Sequence, residues 1–247
     1  MKFITLFTIL FCSQVVFSAE KSYQSILFIG DSHSYGPFGS VIDQTLREQS
    51  EKVVSISSCG ASASTWLERA NNFKSTNCGY WKKTDSQKEI RTLSHQLNSL
   101  KSELSSALPQ ITVISLGTNM LGDINDFENE LKSVEKLILQ VNESGSRCIW
   151  IGPPDLTKQP LKQNLNSFNE KLKNFVESKK CNYIDSSKLT SYQFTKSDGI
   201  HYPPKASKEW GEKISQEILL QLKPLPRIDS GSNSASPVQK NQKSAVQ

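Results

Sequence analysis

The amino-acid sequence predicts a three-layer α/β/α sandwich built around a five-stranded parallel sheet. Three observations support this fold class. Short, continuous apolar runs recur along the chain, stretches with apolar residues every three or four positions separate them, and 36% of the 247 residues are hydrophobic, enough for a buried core. The same observations exclude a transmembrane channel, a coiled coil, a collagen and a solenoid.

Five apolar runs have the length and continuity of strands that are buried on both faces. They cover residues 25–30, 52–58, 111–117, 148–152 and 181–185. Helical stripes of apolar residues cover 90–104, 127–141, 161–175 and 210–218. Ligand sites in such sheets lie at the carboxyl ends of the strands. We therefore expect the chemistry directly after Gly30, Ser58, Gly117, Gly152 and Asp185.

The two ends of the chain differ from this pattern. Residues 1–19 combine an early lysine, a short apolar stretch and small residues near position 19, which is typical of a secretory signal peptide. An anchor through Cys12 is the alternative, but bulky Phe11 before it disfavours lipidation. Residues 224–247 are rich in Ser, Gln, Asn and Pro, which predicts a disordered tail. We expect an exported protein, periplasmic or extracellular and without stable membrane insertion, whose catalytic domain covers residues 20–223.

Four cysteines remain after the signal segment, and an even number in an exported protein suggests two disulfides. We prefer Cys59–Cys78, which would close a long loop, and Cys148–Cys181, since each of these residues opens a strand and the two strands could be neighbours. Buried free thiols are the alternative. Neither the cysteine spacing nor the three histidines predicts a metal site.

The charge distribution argues against a nucleic-acid partner. The chain has 29 Lys and Arg against 24 Asp and Glu, a formal charge of +5. These residues are scattered along the sequence and form no basic stripe. Binding to a phosphate backbone requires such a stripe.

Residues suited to acyl transfer follow the predicted strands. A serine hydroxyl becomes a nucleophile when an imidazole accepts its proton, and a carboxylate can orient that imidazole. We predict Ser32 as the nucleophile, His201 as the base and Asp198 as the carboxylate. The segments that contain the candidate residues are Gly30-Asp31-Ser32-His33-Ser34, Cys59-Gly60, Gly117-Thr118-Asn119 and Asp198-Gly199-Ile200-His201.

A tetrahedral intermediate also needs hydrogen-bond donors for its negatively charged oxygen. The backbone amides of Ser32 and Gly60 and the side-chain amide of Asn119 are the predicted oxyanion hole. Singly, a helix cap, a turn, a loop hydrogen bond and a surface histidine would explain these residues, whereas their joint position at one edge of the sheet favours catalysis. Asp31 has a structural interpretation, as the cap of the next helix.

These segments resemble the sequence blocks of the SGNH (GDSL-like) hydrolase family, in family order over about residues 24–222. Ser32 lies in the nucleophile block, Gly60 and Asn119 in the glycine and asparagine blocks, and Asp198 and His201 in the last. The nucleophile block departs from the commonest spelling at positions 33 and 34, and it resembles that of exported esterases and acyltransferases acting on O-acetylated glycans. The resemblance implies the flavodoxin-like SGNH hydrolase fold and a serine esterase that needs no cofactor.

The connection over residues 60–88 is long for a compact domain, and its aromatic content argues against disorder. Aromatic faces beside a hydrolytic site suit sugar rings, so we predict Trp66, Tyr80 and Trp81 as substrate contacts, with packing under the loop as the alternative. His33, next to the nucleophile, is predicted to line the same pocket.

Together these features predict an exported serine esterase that removes O-acetyl or other small acyl groups from a polysaccharide, with peptidoglycan the first choice. The alternatives are a lysophospholipase or thioesterase for fatty acyl esters, a glycan O-acetyltransferase, and a glycan-binding module without activity. A long acyl chain needs a contiguous apolar groove, which this polar chain does not indicate.

Overall fold

A seven-stranded sheet forms the centre of the computed structural model, which describes residues 21–67, 78–84, 88–122 and 127–222. The predicted signal peptide and the predicted tail lie outside these residues. The strands are β1 (Tyr23–Gly30), β2 (Ser50–Ser58), β3 (Tyr80–Lys83), β4 (Glu89–Thr92), β5 (Ile111–Ser115), β6 (Arg147–Ile151) and β7 (Cys181–Ile184). The helices are α1 (Ser32–Tyr35), α2 (Pro37–Gln49), α3 (Leu100–Ala107), α4 (Phe127–Glu143), α5 (Leu161–Ser178) and α6 (Pro204–Leu222).

The predicted fold class is confirmed, because the five predicted strands pair in parallel in the order β2-β1-β5-β6-β7. This is the flavodoxin-like order, with its switch point between β1 and β5. The chain first adds β2 on one side of β1 and later adds β5, β6 and β7 on the other side, so the direction in which strands are added reverses at β1. The carboxyl ends of β1, β2 and β5 therefore lie side by side, where the order reverses.

The sheet is larger than predicted, because β3 and β4 extend it beyond β2 as an antiparallel hairpin. Ile90, which the sequence assigned to a helical stripe, pairs with Lys82 in this hairpin. The following helix begins only at Leu100, where the Ser99 side chain accepts a hydrogen bond from the Ser102 amide and caps it. Hence the stripe predicted over residues 90–104 combined a short edge strand with the start of a helix.

Helices cover both faces of the sheet and divide the core into two layers. Alternate residues of β1 point to opposite faces, with Leu27 and Ile29 in one layer and Ile26 and Phe28 in the other. Side chains of α3, α4 and α5 fill the first layer, and side chains of α2 and α6 fill the second. Among the described residues, no helix combines the length and the apolar character that crossing a bilayer requires.

Both predicted disulfides are confirmed. Cys148 and Cys181 are register partners at the start of β6 and β7, and their Cα atoms are 4.6 Å apart. The Cys59–Cys78 bridge, with a Cα separation of 5.8 Å, joins the turn after β2 to the residues just before β3. The Cys59–Cys78 bridge therefore joins the two ends of the connection between β2 and β3, which begins at the predicted oxyanion hole.

Candidate active site

Ser32 and His201 meet at the carboxyl edge of the sheet, although 169 positions separate them in the chain. Ser32 is the first residue of α1, directly after β1, and His201 lies in the loop that leads from β7 to α6. The Nε2 atom of His201 is 2.9 Å from the Oγ atom of Ser32. An imidazole at this distance can accept the hydroxyl proton as a general base.

Asp198 holds the other side of the His201 ring, with 2.5 Å between its Oδ2 and the His201 Nδ1. Its Oδ1 accepts hydrogen bonds of 2.8 Å from the backbone amides of Ile200 and His201. Partial burial by itself would raise the pKa of Asp198, but these hydrogen bonds outweigh it and lower the pKa to about 2. Asp198 therefore stays ionised at any pH well above that value and can stabilise an imidazolium.

The loop that carries this pair is fastened to the loop after β6. The carbonyl oxygen of Gly199 accepts hydrogen bonds from the amides of Thr157 (2.9 Å) and Lys158 (3.1 Å). Gly199 has a φ of +78°, and a Cβ there would lie 2.9 Å from the Lys158 nitrogen, so glycine is required at this position. The Tyr192 hydroxyl lies 2.9 Å from the backbone oxygen of His201 and donates to it. Sequence reasoning did not identify Tyr192, which is distinguished only by these tertiary contacts.

The predicted nucleophile is held by a close junction between β1 and α1. A Cβ at Gly30 would lie 2.1 Å from the Ser34 Oγ, so only glycine allows the helix to start this near the strand. Asp31 caps α1 by accepting a hydrogen bond of 3.0 Å from the His33 amide. Burial raises the pKa of Asp31 to about 7, although this hydrogen bond opposes the change.

The predicted oxyanion donors lie at the same edge. Gly60 follows β2 and has a φ of +78°, a backbone conformation that favours glycine. Among the described hydrogen bonds, this turn engages the amides of Cys59 and Ala61 but not that of Gly60. Asn119, after β5, donates from Nδ2 to the Ala61 oxygen at 2.9 Å, which orients its amide and leaves its second hydrogen free to donate elsewhere.

Glu130, on α4, fastens the loop that contains Gly60. Its Oε1 accepts hydrogen bonds of 3.0 Å from the hydroxyls of Ser62 and Ser64, and its Oε2 accepts one of 3.3 Å from the Ser64 amide. Sequence reasoning missed this residue because a glutamate on a helix is usually a solvent-exposed charge. Its contacts depend on a loop 66 or more positions away.

Trp66, Tyr80 and Trp81 lie in the interior, with exposed fractions of 0, 3 and 1%. Tyr80 and Trp81 are neighbours on β3, so their side chains point to opposite faces of the sheet, and both faces are covered. Tyr80 stacks on His95 with 3.9 Å between the ring centroids. This corrects the expectation that these rings offer open faces to a sugar, because packing in the core uses them instead.

His33 is also interior, with an exposed fraction of 6%. Its ring packs against the rings of His201 and Trp210 and not along an open pocket, which corrects the second substrate-contact expectation. By contrast, the side chains of Asp198 and His201 are 48 and 49% exposed. The predicted reacting groups are therefore at the surface, where a bulky molecule can reach them.

Comparison with known proteins agrees with this fold. The GDSL-like lipase/acylhydrolase family matches residues 26–214. Protein BcsX of Komagataeibacter xylinus is 23% identical over 211 residues, which cover 81% of this chain and 79% of that protein. The lipase/acylhydrolase from Enterococcus faecalis has a similar fold, with a TM-score of 0.52, 18% identity and coverage of 82% of this chain and 98% of its own.

A catalytic mutant of an acetylxylan esterase from Geobacillus stearothermophilus is similar as well. Its TM-score is 0.53 at 12% identity, and the match covers 81% of this chain and 95% of that chain. At these identities the structural likeness establishes the shared fold.

Proposed function

The chain belongs to the GDSL-like lipase/acylhydrolase family and is a serine esterase, and from this premise we propose that Ser32, His201 and Asp198 are its catalytic triad. We further propose that it removes O-acetyl or other small acyl groups from a polysaccharide outside the cytoplasm. The observation that carries the triad is the 2.9 Å contact between Ser32 Oγ and His201 Nε2, with Asp198 on the opposite ring nitrogen.

The reaction follows from this geometry. His201 Nε2 takes the Ser32 proton as the Oγ attacks the acyl carbonyl carbon, which gives a tetrahedral intermediate. The carbon–oxygen bond to the sugar then breaks, the sugar oxygen receives the proton from His201, and the acyl group remains on Ser32. Water, deprotonated by the same imidazole, then attacks the acyl carbon. The bond from this carbon to Ser32 Oγ breaks, Oγ takes the proton back from His201, and the carboxylic acid leaves.

Replacing Asn119 by alanine should lower kcat for 4-nitrophenyl acetate about 100- to 1000-fold, the usual effect of losing one oxyanion donor. KM should change little, because the donor acts on charge that develops in the transition state. Asn142→Ala is the matched control, since Asn142 also donates to a backbone oxygen, that of Lys179, away from the site. A wild-type kcat in Asn119→Ala would show that Asn119 is not an oxyanion donor.

The open position of the site supports a small acyl group on a large alcohol. The half-exposed Asp198 and His201 side chains leave room for a polymer to approach, whereas a fatty acyl chain needs a groove that buries most of its surface. Acetate release from a panel of O-acetylated glycans, with peptidoglycan among them, tests the acceptor. Chain-length profiling with nitrophenyl esters from acetyl to dodecanoyl tests the acyl group.

We expect kcat/KM in that profile to be highest for acetyl and to fall as the chain lengthens. A maximum at long chains would instead support the lysophospholipase or thioesterase function. Transfer of the acetyl group to an added glycan in preference to water would support the acetyltransferase.

The two disulfides support the exported location, because such bridges persist in oxidising compartments. The proposed signal peptide predicts that protein recovered from the periplasm or medium lacks residues 1–19. Mass spectrometry of that protein before and after alkylation measures both the removal of residues 1–19 and the number of free cysteines. A full-length mass with all five cysteines alkylated would contradict export.

A further inference from the structure

His33 is a buried histidine beside the nucleophile that the reaction above does not use. Its exposed fraction is 6%, and its Nε2 has no hydrogen-bond partner in the part of the chain that the structure describes. Most buried polar side-chain atoms have a partner, so an unpaired ring nitrogen at this place calls for a physical explanation.

The His33 ring connects the core to the ring of His201. It lies 5.2 Å from His201 between centroids, with the planes inclined at 47°, and 5.2 Å from Trp210, which it meets edge to face at 82°. Trp210 in turn stacks on Phe38 at 3.8 Å, and its Nε1 donates to the Ser186 hydroxyl. These rings form an aromatic column, Phe38–Trp210–His33–His201, from the α2 and α6 layer to the proposed base.

The proposed base needs such support. His201 lies on a loop, and its side chain is 49% exposed. Asp198 holds Nδ1, and apart from the contact with Ser32 itself the ring makes no other hydrogen bond to the described residues. The ring can therefore still tilt, and a tilt moves Nε2 away from Ser32. A ring packed below limits that tilt, and inclined aromatic pairs at this separation are favourable.

We propose that His33 is a positioning residue that holds the His201 imidazole with Nε2 directed at the Ser32 hydroxyl. This inference rests on the proposed role of His201 as the base. It assigns the chemistry to His201 alone, and His33 neither accepts nor donates a proton in the reaction.

The electrostatics of His33 suit this role. Burial, followed by the nearby charge on His201, lowers the pKa of His33 to about 3. The His33 ring is therefore neutral while His201 takes up and returns the proton. A second positive charge at this distance would oppose formation of the imidazolium.

The test compares His33→Leu and His33→Gln, which remove the ring, with His33→Phe, which keeps it. The ring-less variants should lower kcat for 4-nitrophenyl acetate about 10- to 100-fold, because a small misplacement of a catalytic group has an effect of this size. KM should stay near the wild-type value, and His33→Phe should recover most of kcat. Rates are divided by the number of sites titrated with a fluorophosphonate, so loss of folded protein does not count as loss of kcat.

His95→Leu is the matched control, because His95 also stacks on a ring, that of Tyr80, but is only partly buried and makes no ring contact with His201 among the described residues. It should leave kcat unchanged. Wild-type kcat per titrated site in both ring-less His33 variants would overturn the proposal, and so would equal losses in His33→Phe and His33→Leu.

Nuclear magnetic resonance gives a readout that does not need activity, and the chain has only three histidines to assign. The ring signals of His201 should shift and broaden in His33→Leu but not in His95→Leu. Unchanged His201 signals in His33→Leu would overturn the positioning role even if the protein hydrolyses no ester. Conversely, the wild-type protein could hydrolyse no ester while His33→Leu still shifts the His201 signals. That result would support the ring contact and reject the proposed function.

Discussion

Replacing Ser32 by alanine is expected to reduce kcat for 4-nitrophenyl acetate about 10⁴- to 10⁶-fold, the range found when a triad nucleophile is removed. Without the Oγ no acyl-enzyme forms, and only the oxyanion donors and substrate binding remain. The free energy of unfolding should change by no more than about 0.5 kcal/mol, since the substitution removes one partly exposed hydroxyl. Steady-state rates and a thermal unfolding curve on the same preparation measure both quantities.

Ser34→Ala is the matched control for this substitution. It removes a hydroxyl from the same short helix, two residues along, and the Ser34 Oγ has no hydrogen-bond partner among the described residues. We expect it to keep most of the activity. Comparable loss in both variants would mean that the junction between β1 and α1, and not the Ser32 nucleophile, is what the substitutions disturb.

Covalent labelling separates an esterase from a glycan-binding module. A fluorophosphonate should modify the wild-type protein at Ser32 and leave Ser32→Ala unlabelled, because the reagent needs a serine activated by a neighbouring base. Label on a different serine would assign the nucleophile elsewhere. A folded wild-type protein that takes no label would favour the binding module.

Replacing His201 by alanine is expected to have an effect of similar size, about 10⁴- to 10⁶-fold in kcat, because triad members act as a unit. For the same reason the double variant Ser32→Ala/His201→Ala should be no slower than either single variant. Asp198→Asn should lose less, since Ser32 and His201 remain in contact. Multiplicative losses in the double variant would show that the two residues act independently and would contradict the triad.

The exposure of the site makes a chemical control possible for His201. Because its side chain is 49% exposed, added imidazole can reach the space that His201→Ala leaves and can accept the Ser32 proton. Imidazole should therefore restore part of the activity of His201→Ala and none of the activity of Ser32→Ala. His95→Ala, at the histidine that stacks on Tyr80, should retain wild-type rates with or without imidazole.

How far local pattern predicts this fold is clear from its strands. The runs that became β1, β5 and β6 are largely continuous and apolar because both faces of a central parallel strand are buried, and that requirement is visible in the sequence. The hairpin of β3 and β4 lacks this signature because it is short, lies at the edge of the sheet and carries charged residues. Its strands exist because β3 pairs with β2, more than twenty positions earlier in the chain.

The same distinction applies to the aromatic residues of the long connection. The sequence around Trp66 and Trp81 does not distinguish a ring that faces a ligand from a ring that faces the core. The structure places both rings in the core, Trp66 in the layer with α3, α4 and α5 and Trp81 in the layer with α2 and α6. His33 is a similar case. Its position next to Ser32 suggested that it lines a pocket, whereas its ring is buried against Trp210 of α6.

Strand periodicity and residue chemistry, together with the family resemblance, predicted an α/β sandwich, favoured the two disulfide pairs that the structure contains, and placed a serine, a histidine and an aspartate at one edge of a sheet. This worked because parallel strands end at a common edge whatever their partners are. Burial of the aromatic rings, the contacts of Glu130 and Tyr192, and the column beneath His201 follow from the folded chain alone. Each depends on which distant segments come into contact, and a local pattern carries no information about that choice.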